Sequence, residues 1–258
     1  MILLIDIGNT NIYMGIYEER NCISTYRTTT DTRKSSDDYG LLIANYVKDN
    51  KLEGVIISSV VPSLTNVIKN ALENKFKLKP LVVGPKLKSG MPIRMDNPLE
   101  VGSDLISVAV GASFKYGYPC LVADLGTATK IIAVDKTGAF VGGVLFSGIK
   151  VSSDALVGNT AQLPEIGLNV PSKVIGKNTL DAMNSGTLYG HIDAILGLVK
   201  RMEQELGYEC KHILTGGYSS IIKEYLDKSF IYDDKLIFEG LLALYYKNRG
   251  TSKWKVVR

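Results

Sequence analysis

Two aspartates, Asp6 and Asp124, each lie at the end of an apolar run and are followed, after one residue, by a glycine. Small polar residues dominate the two turns that follow, at positions 8–11 and 126–129. A carboxylate placed in this way binds Mg²⁺, usually through water, while the N–H groups and hydroxyls of the turn contact phosphate oxygens. Either turn alone could equally be an ordinary hairpin, but their repetition favours a metal–nucleotide site.

The two aspartates belong to a longer repeat. Residues 2–5 form an apolar run that predicts a buried strand, and Ile12, Met14 and Ile16 alternate as in a second strand. Residues 122–135 repeat the pattern at an offset of 118 residues (124 − 6), nearly half of the chain. We interpret the repeat as an internal duplication, with one domain at 1–115 and a second at 116–258.

A third carboxylate, Asp104, lies where an irregular segment leads into a predicted apolar helix at 106–114. Near the start of a helix the macrodipole favours the ionised form of a carboxylate. From these residues alone, the expected role of Ser103 or Asp104 is to cap the helix. A chemical role for Asp104 stays open at this point.

The remaining patterns predict the elements that hold these residues. In the first half they give the order β-β-β-α-β-α-β, with one strand ending in small polar residues at 58–59. A Rossmann domain would alternate strand and helix and would carry G-x-G-x-x-G, which is absent after the first strand. In the second half a long amphipathic helix is predicted at 185–205, a strand ending in Gly-Gly at 212–217, and a basic segment at 250–258.

Composition narrows the class of protein. The chain has 258 residues, 45% hydrophobic and 22% charged, with a net charge of +4. The small, dispersed charge does not indicate a nucleic-acid partner. Three widely spaced cysteines, Cys22, Cys120 and Cys210, form neither a zinc pattern nor a disulfide framework. No apolar stretch is long enough for a bilayer, so we expect a cytoplasmic protein without a membrane partner.

Two domains that each open with a phosphate hairpin resemble the actin-like ATPase and sugar-kinase superfamily. Within it, nearly the whole chain resembles the type III pantothenate kinases. The resemblance implies an α/β fold with two duplicated actin-like (ribonuclease H-like) domains. Each would contain a mixed five-stranded sheet with helices, and ATP would bind in the cleft between the domains.

The segment before the predicted helix carries the most specific part of the resemblance. Asn97, Pro98, Gly102 and Asp104 match the family motif Asn-Pro-x-x-x-Gly-x-Asp-Arg, whose Asp is the proposed general base. The resemblance thus makes Asp104 the catalytic residue and places the acceptor at Gly102, Ser103, Asp104, Leu105 and Thr179. Two positions depart from the family: Leu105 replaces the Arg, and no Tyr precedes Asn97.

The resemblance also implies the ligands of the two hairpins. ATP would contact the first hairpin and one residue of the second, at Asp6, Ile7, Gly8, Asn9, Thr10, Asn11, Ile12, Tyr13 and Thr127. Asp6 would hold Mg²⁺ through water, and Asp124 would hold a monovalent cation, K⁺ or NH₄⁺. Lys130 occupies a position that is usually Thr; it could pair with the β- or γ-phosphate or point to solvent.

The activity implied is ATP-dependent phosphorylation of pantothenate to 4′-phosphopantothenate, the first step of coenzyme A biosynthesis. The partners implied are pantothenate or a similar small molecule and a second copy of the chain, because Thr179 matches a residue that contacts the acceptor across a dimer. Two alternatives stay open: a kinase for another small hydroxylated acceptor, prompted by Leu105, and a non-catalytic nucleotide-binding regulator.

Overall fold

The computed structural model describes residues 1–160 and 163–250 and divides the chain into two compact units. Of the described residues, the first unit contains Met1–Pro92, Asp96–Lys115 and 236–250, and the second contains Ile93–Met95 and the chain between Tyr116 and Lys235. These units differ from the predicted division at 115/116, because the C-terminal helix packs in the first unit. The predicted basic segment at 250–258 lies, apart from Gly250, outside the described residues.

Each unit contains a five-stranded mixed sheet. The strands are β1 (Ile2–Ile7), β2 (Asn11–Glu18), β3 (Asn21–Thr29), β4 (Gly54–Ser59), β5 (Leu81–Val82), β6 (Cys120–Leu125), β7 (Ala128–Val134), β8 (Phe140–Ser147), β9 (Lys211–Thr215) and β10 (Phe230–Tyr232). The helices are α1 (Ser36–Val47), α2 (Pro62–Phe76), α3 (Ser103–Tyr116), α4 (Ile149–Gly158), α5 (Thr179–Leu206), α6 (Ser219–Ile222) and α7 (Leu236–Arg249).

The two sheets have the same topology. The first has the order β3-β2-β1-β4-β5, and the second has β8-β7-β6-β9-β10, which is the same order of connections. In both, the opening strand pairs antiparallel with the strand after the hairpin and parallel with the fourth strand. The structure thus confirms the predicted duplication and the class of α/β fold.

The core of the first unit follows from alternation along its strands. Because successive side chains of a strand point to opposite faces, odd positions of β1 and even positions of β2 share one face. This face packs against α1 and α2. The resulting core contains Leu3, Ile5, Ile7, Ile12, Met14 and Ile16 of the sheet and Ile43, Leu64 and Ile68 of the helices. Asp6 and Tyr13 lie on the opposite face, where Phe238 of α7 packs 4.4 Å from the Tyr13 ring, measured between centroids.

The second unit uses the long helix α5 in the same way. Leu188, Ile192, Ile195 and Val199 of this helix pack with Leu121, Ala123 and Ile131 of the sheet. The helix begins six residues earlier than the predicted 185–205, because the Asn178 side chain accepts a hydrogen bond from Asp181 N and caps it. Within the described residues, no helix is long and apolar enough to cross a membrane.

Candidate functional site

The first hairpin exposes its tip while its base is held firmly. Gly8 N donates to Asn11 O at 2.9 Å, which closes the turn. Thr30, just after β3, braces it from the side: its hydroxyl donates to Gly8 O at 2.6 Å, and its N–H donates to Thr10 O at 2.9 Å. Asn9, Thr10 and Asn11 are exposed. The tip therefore presents polar groups on a fixed backbone, as a phosphate site requires.

The predicted nucleotide residues of this hairpin divide into two groups. The side chains of Ile7 and Ile12 are 0% and 1% exposed in the core, so any contact they make with a nucleotide goes through backbone atoms. Tyr13 is half-buried, with Phe238 on its ring and the Arg27 guanidinium 4.5 Å from the ring centroid. The exposed tip residues Asn9, Thr10 and Asn11 are thus the ones whose side chains a ligand can reach.

Asp6 lies at the carboxyl end of β1, between two strands. Its Cα partners are Tyr13 in β2 and Ser58 in the parallel strand β4. The Asp6 side chain is partly exposed and supplies the hard oxygen donor that Mg²⁺ prefers. Mg²⁺ is commonly held by one or two carboxylates, waters and substrate phosphates, so a single carboxylate beside a phosphate turn fits this ion. Among the described residues there is no group of three acidic, His or Cys side chains suited to a fully protein-bound metal.

Ser103 fastens the start of α3 to the end of β4. Its hydroxyl accepts from Ser59 N and donates to Ser59 O, both at 2.8 Å, and lies 3.3 Å from the Ser58 hydroxyl. The Ser103 hydroxyl is therefore engaged with the sheet. The helix begins at Ser103, so the position before it belongs to Gly102.

These contacts bring the two predicted carboxylates of the first unit to one edge of its sheet. Asp6 is the register neighbour of Ser58, Ser58 contacts Ser103, and Asp104 follows Ser103 in the chain. Asp104 is partly exposed. The small polar residues that end β4 were the sequence signal for this link, but their partner on α3 could not be read from the pattern.

Gly102 fits closely beneath the carboxylate of Asp104. A Cβ at Gly102 would overlap Asp104 Oδ1. The carboxylate folds back over the glycine, and a side chain there would displace it. Leu105, which replaces the family Arg, is partly buried.

The second hairpin is built on the same plan but is one residue shorter. Gly126 N donates to Ala128 O at 3.1 Å, and Gly148 N at the start of α4 donates to Thr127 O at 3.1 Å. A Cβ at Gly148 would overlap the carbonyls of the turn, so only glycine allows α4 to begin against the hairpin. Thr127 is exposed at the tip, in keeping with its predicted role.

The shorter turn changes what faces the aspartate. Asp124 is paired in register with Lys130, whereas Asp6 is paired with Tyr13. Lys130 Nζ lies 3.0 Å from Asp124 Oδ2, and the two side chains are only 17% and 16% exposed. Lys130 therefore points to Asp124 rather than to solvent. The Asp124 carboxylate, which was predicted to bind K⁺ or NH₄⁺, is already paired with the ammonium group of Lys130.

Gly216 lies against the second carboxylate oxygen of Asp124, Oδ1. This glycine has φ +97°, and a Cβ there would lie 2.6 Å from Asp124 Oδ1 and would also overlap the backbone of Leu125. At Gly216 the end of β6 makes a close approach to the turn after β9, while Gly217 is exposed.

Thr129, matched in sequence to Asn11, is not at the tip. It is 0% exposed, and its hydroxyl lies 2.7 Å from His191 Nε2 on α5. Burial lowers the pKa of His191 to about 4, so this imidazole is neutral near pH 7. His191 is a packed residue of the second unit.

Thr179 is the first residue of α5 and is exposed, so it is available to a ligand. The N-cap of this helix is Asn178. Exposed apolar side chains lie nearby in the chain: Val174, Ile175 and Leu180 are 65%, 83% and 46% exposed.

Among solved structures, the chain is similar to a Campylobacter jejuni protein assigned to the Baf family of transcriptional activators (TM-score 0.62, 20% identity, 96% of this chain and 100% of the other). It is also similar to a Sinorhizobium meliloti protein assigned as a 2-dehydro-3-deoxygalactonokinase (0.58, 11%, 100% of both chains). A third is the 2-hydroxyisocaproyl-CoA dehydratase activator of Clostridium difficile with bound ADPNP (0.50, 13%, 100% and 99%).

These likenesses show the fold and confirm the predicted actin-like class with two mixed sheets. The sequence model of the type III pantothenate kinase family matches residues 2–201, which include both hairpins, Asp104 and Thr179. Because the match spans more than half of its length, the chain belongs to the type III pantothenate kinase family.

Proposed function

We propose that this chain transfers the γ-phosphoryl group of ATP to pantothenate, giving 4′-phosphopantothenate for coenzyme A biosynthesis. The observation that carries the proposal is the link from Asp6 through Ser58 and Ser103 to Asp104. It joins a phosphate hairpin, a carboxylate suited to Mg²⁺ and a second carboxylate at one sheet edge. Family membership supports pantothenate as the acceptor.

Phosphoryl transfer requires mainly positioning and charge neutralisation. The exposed tip residues Asn9, Thr10 and Asn11 would donate hydrogen bonds to the phosphates of ATP, and Thr127 would do the same from the second hairpin. Asp6 would orient Mg²⁺ through water, and the ion would neutralise the phosphate oxygens. The brace from Thr30 keeps the first tip in place before ATP arrives.

Asp104 is the base in this proposal. The pantothenate hydroxyl oxygen attacks the γ-phosphorus, the bond from that phosphorus to the ADP oxygen breaks, and the hydroxyl proton passes to the Asp104 carboxylate. Gly102 and Ser103 hold the carboxylate in place, since one lies beneath it and the other anchors its helix. A weak base is sufficient because the transition state is loose.

The chain is further proposed to work as a homodimer in which Thr179 contacts the acceptor. The support is its exposed position at the start of α5, beside the exposed apolar residues Val174, Ile175 and Leu180. An apolar surface of this kind is suited to a second protein surface.

One observation favours a different acceptor. Leu105 is partly buried next to the base, where the family motif has an Arg. A leucine cannot pair with the carboxylate of pantothenate as a guanidinium does. A kinase for an uncharged hydroxylated acceptor is therefore the second candidate, and Leu105→Arg would then raise pantothenate turnover.

The test compares wild type with Asp104→Asn. With MgATP and pantothenate we expect turnover in wild type and a decrease in kcat of about 10²- to 10⁴-fold in the variant. Asp96→Asn, in the irregular segment before α3, is the matched control and should retain activity. Product is measured as phosphorylated pantothenate by chromatography. Equal activity of wild type and Asp104→Asn would exclude the base; no product from wild type at saturating pantothenate would exclude this acceptor.

A further inference from the structure

Lys130 and Asp124 form a close pair beside the second hairpin. The two residues lie directly opposite each other in β7 and β6, and the Nζ–Oδ2 distance is 3.0 Å. Both side chains are more than four-fifths buried. A pair that is fixed by strand register and shielded from water is far less mobile than a surface ion pair.

The surroundings leave little room for a second cation on the same carboxylate. Oδ2 carries the ammonium, and Oδ1 lies against the Cα of Gly216, where a Cβ would be only 2.6 Å away. A monovalent ion would have to bind within a few ångströms of a positive charge, which Coulomb repulsion opposes. Lys130 and a bound K⁺ are therefore alternatives, and the residues present do not fit the cation site that the family resemblance implies.

We propose that the Lys130 ammonium is a built-in cation that takes the place of K⁺ or NH₄⁺ on Asp124, so that this kinase works without a monovalent activator. The inference rests on the proposed function only where turnover is measured; the binding of a cation to Asp124 can be tested without it. Lys130 lies three residues beyond Thr127 at the hairpin tip, so its charge is part of the hairpin itself. It acts as a positioning residue that supplies fixed positive charge next to the phosphates.

The first measurement is turnover of wild type and Lys130→Met in tetramethylammonium chloride and in KCl at equal ionic strength. Product is separated by chromatography, so that no coupling enzyme introduces its own cation requirement. Wild type should change by less than about twofold between the salts. Lys130→Met should lose about a hundredfold in tetramethylammonium and recover about tenfold or more in KCl, because the uncovered carboxylate can now hold the ion.

The second measurement is binding without catalysis. The melting temperature of Lys130→Met should rise in KCl relative to tetramethylammonium chloride, whereas that of wild type should not. Lys130→Arg, which keeps the charge, should behave like wild type. Lys136→Met, in the exposed turn after β7, is the matched control for loss of a lysine in the second unit and should show no K⁺ response.

The turnover and melting experiments together distinguish a failure of the proposed function from a failure of the role proposed for Lys130. No product from wild type in either salt would overturn the proposed function, while the melting experiment would still test the role of Lys130. Activation or stabilisation of wild type by K⁺ would overturn the built-in cation, since Asp124 would then bind the ion beside Lys130. Absence of a K⁺-specific response in Lys130→Met would also overturn it.

Discussion

Asp104 is positioned by two small neighbours that perform no chemistry themselves. Gly102 leaves the space into which the carboxylate folds, and the hydroxyl of Ser103 holds the first turn of α3 on the end of β4. The aspartate and its motif could be predicted from the sequence because their spacing is local. The Ser58–Ser103 contact could not, because it joins residues 45 positions apart.

His191 gives a prediction for the stability of the protein at acid pH. Burial lowers its pKa to about 4, whereas in the unfolded chain it keeps its ordinary value of 6.5. Between these values the unfolded state binds a proton that the folded state does not, so the free energy of unfolding falls as the pH falls from 6.5 to 4. We expect a loss of about 1 to 2 kcal/mol on going from neutral pH to about pH 5.

The measurement is urea denaturation of wild type and His191→Gln at both pH values. The glutamine can still hydrogen-bond to the Thr129 hydroxyl but does not titrate, so the variant should lose less stability on acidification. His212→Gln, at the only other histidine, is the control and should retain the wild-type loss. An identical pH dependence in wild type and His191→Gln would refute the assignment.

At the scale of elements, the two hairpins show what an internal repeat does and does not predict. The order β-β-β-α-β-α-β predicted for the first half was correct, and the second unit repeats the sheet topology of the first. The partner of Asp124 was missed, because a constant offset of 118 residues matches Lys130 with Ile12, a core residue. The second turn is one residue shorter, and a shift of one residue moves a side chain to the other face of a strand. Lys130 thereby faces the carboxylate.

Helix α3 offers a comparison of two buried serines. The Ser103 hydroxyl makes two hydrogen bonds with the backbone of Ser59, whereas the buried Ser113 hydroxyl makes none. Ser103→Ala should lower the free energy of unfolding by about 1 to 3 kcal/mol, since it strands a buried N–H group. It should also lower kcat, because the start of α3 carries Asp104.

The matched variant is Ser113→Ala on the same helix, which should leave stability unchanged or slightly raised, because it removes a polar group without a partner. Denaturant unfolding and product formation are measured for both. Equal effects of the two substitutions would show that the Ser103 contacts do not anchor the helix.

At the scale of the whole molecule, α7 completes the unit that the first residues of the chain begin. It lies against α3 backbone to backbone: a Cβ on Gly240 would overlap Ser107 O, and one on Gly111 would lie 2.6 Å from Leu236 O. Its Tyr245 hydroxyl fills the space where Gly54 of β4 lacks a side chain. Isolated glycines in apolar segments give no periodic signal, so the sequence did not predict where this helix packs.

Gly240→Ala should therefore lower the free energy of unfolding by about 1 to 3 kcal/mol or more, because two helix backbones would have to separate. Gly190→Ala in α5 is the control: its site is exposed and open, so the added methyl should stabilise the helix by about 0.5 to 1 kcal/mol. Thermal and denaturant unfolding report both. Destabilisation by Gly190→Ala, or none by Gly240→Ala, would contradict the close helix contact.

The position of α7 has a consequence for the growing polypeptide. A ribosome makes Asp6, the first hairpin and α3 early, but the helix that covers the Asp6 face of their sheet is among the last described residues to be made. Until α7 is synthesised, Tyr13 and Tyr17 of the first unit lack their packing partner Phe238. The second unit is synthesised in the meantime and can fold from its own nearly continuous segment. The half of the protein that is encoded first is therefore the half that is finished last.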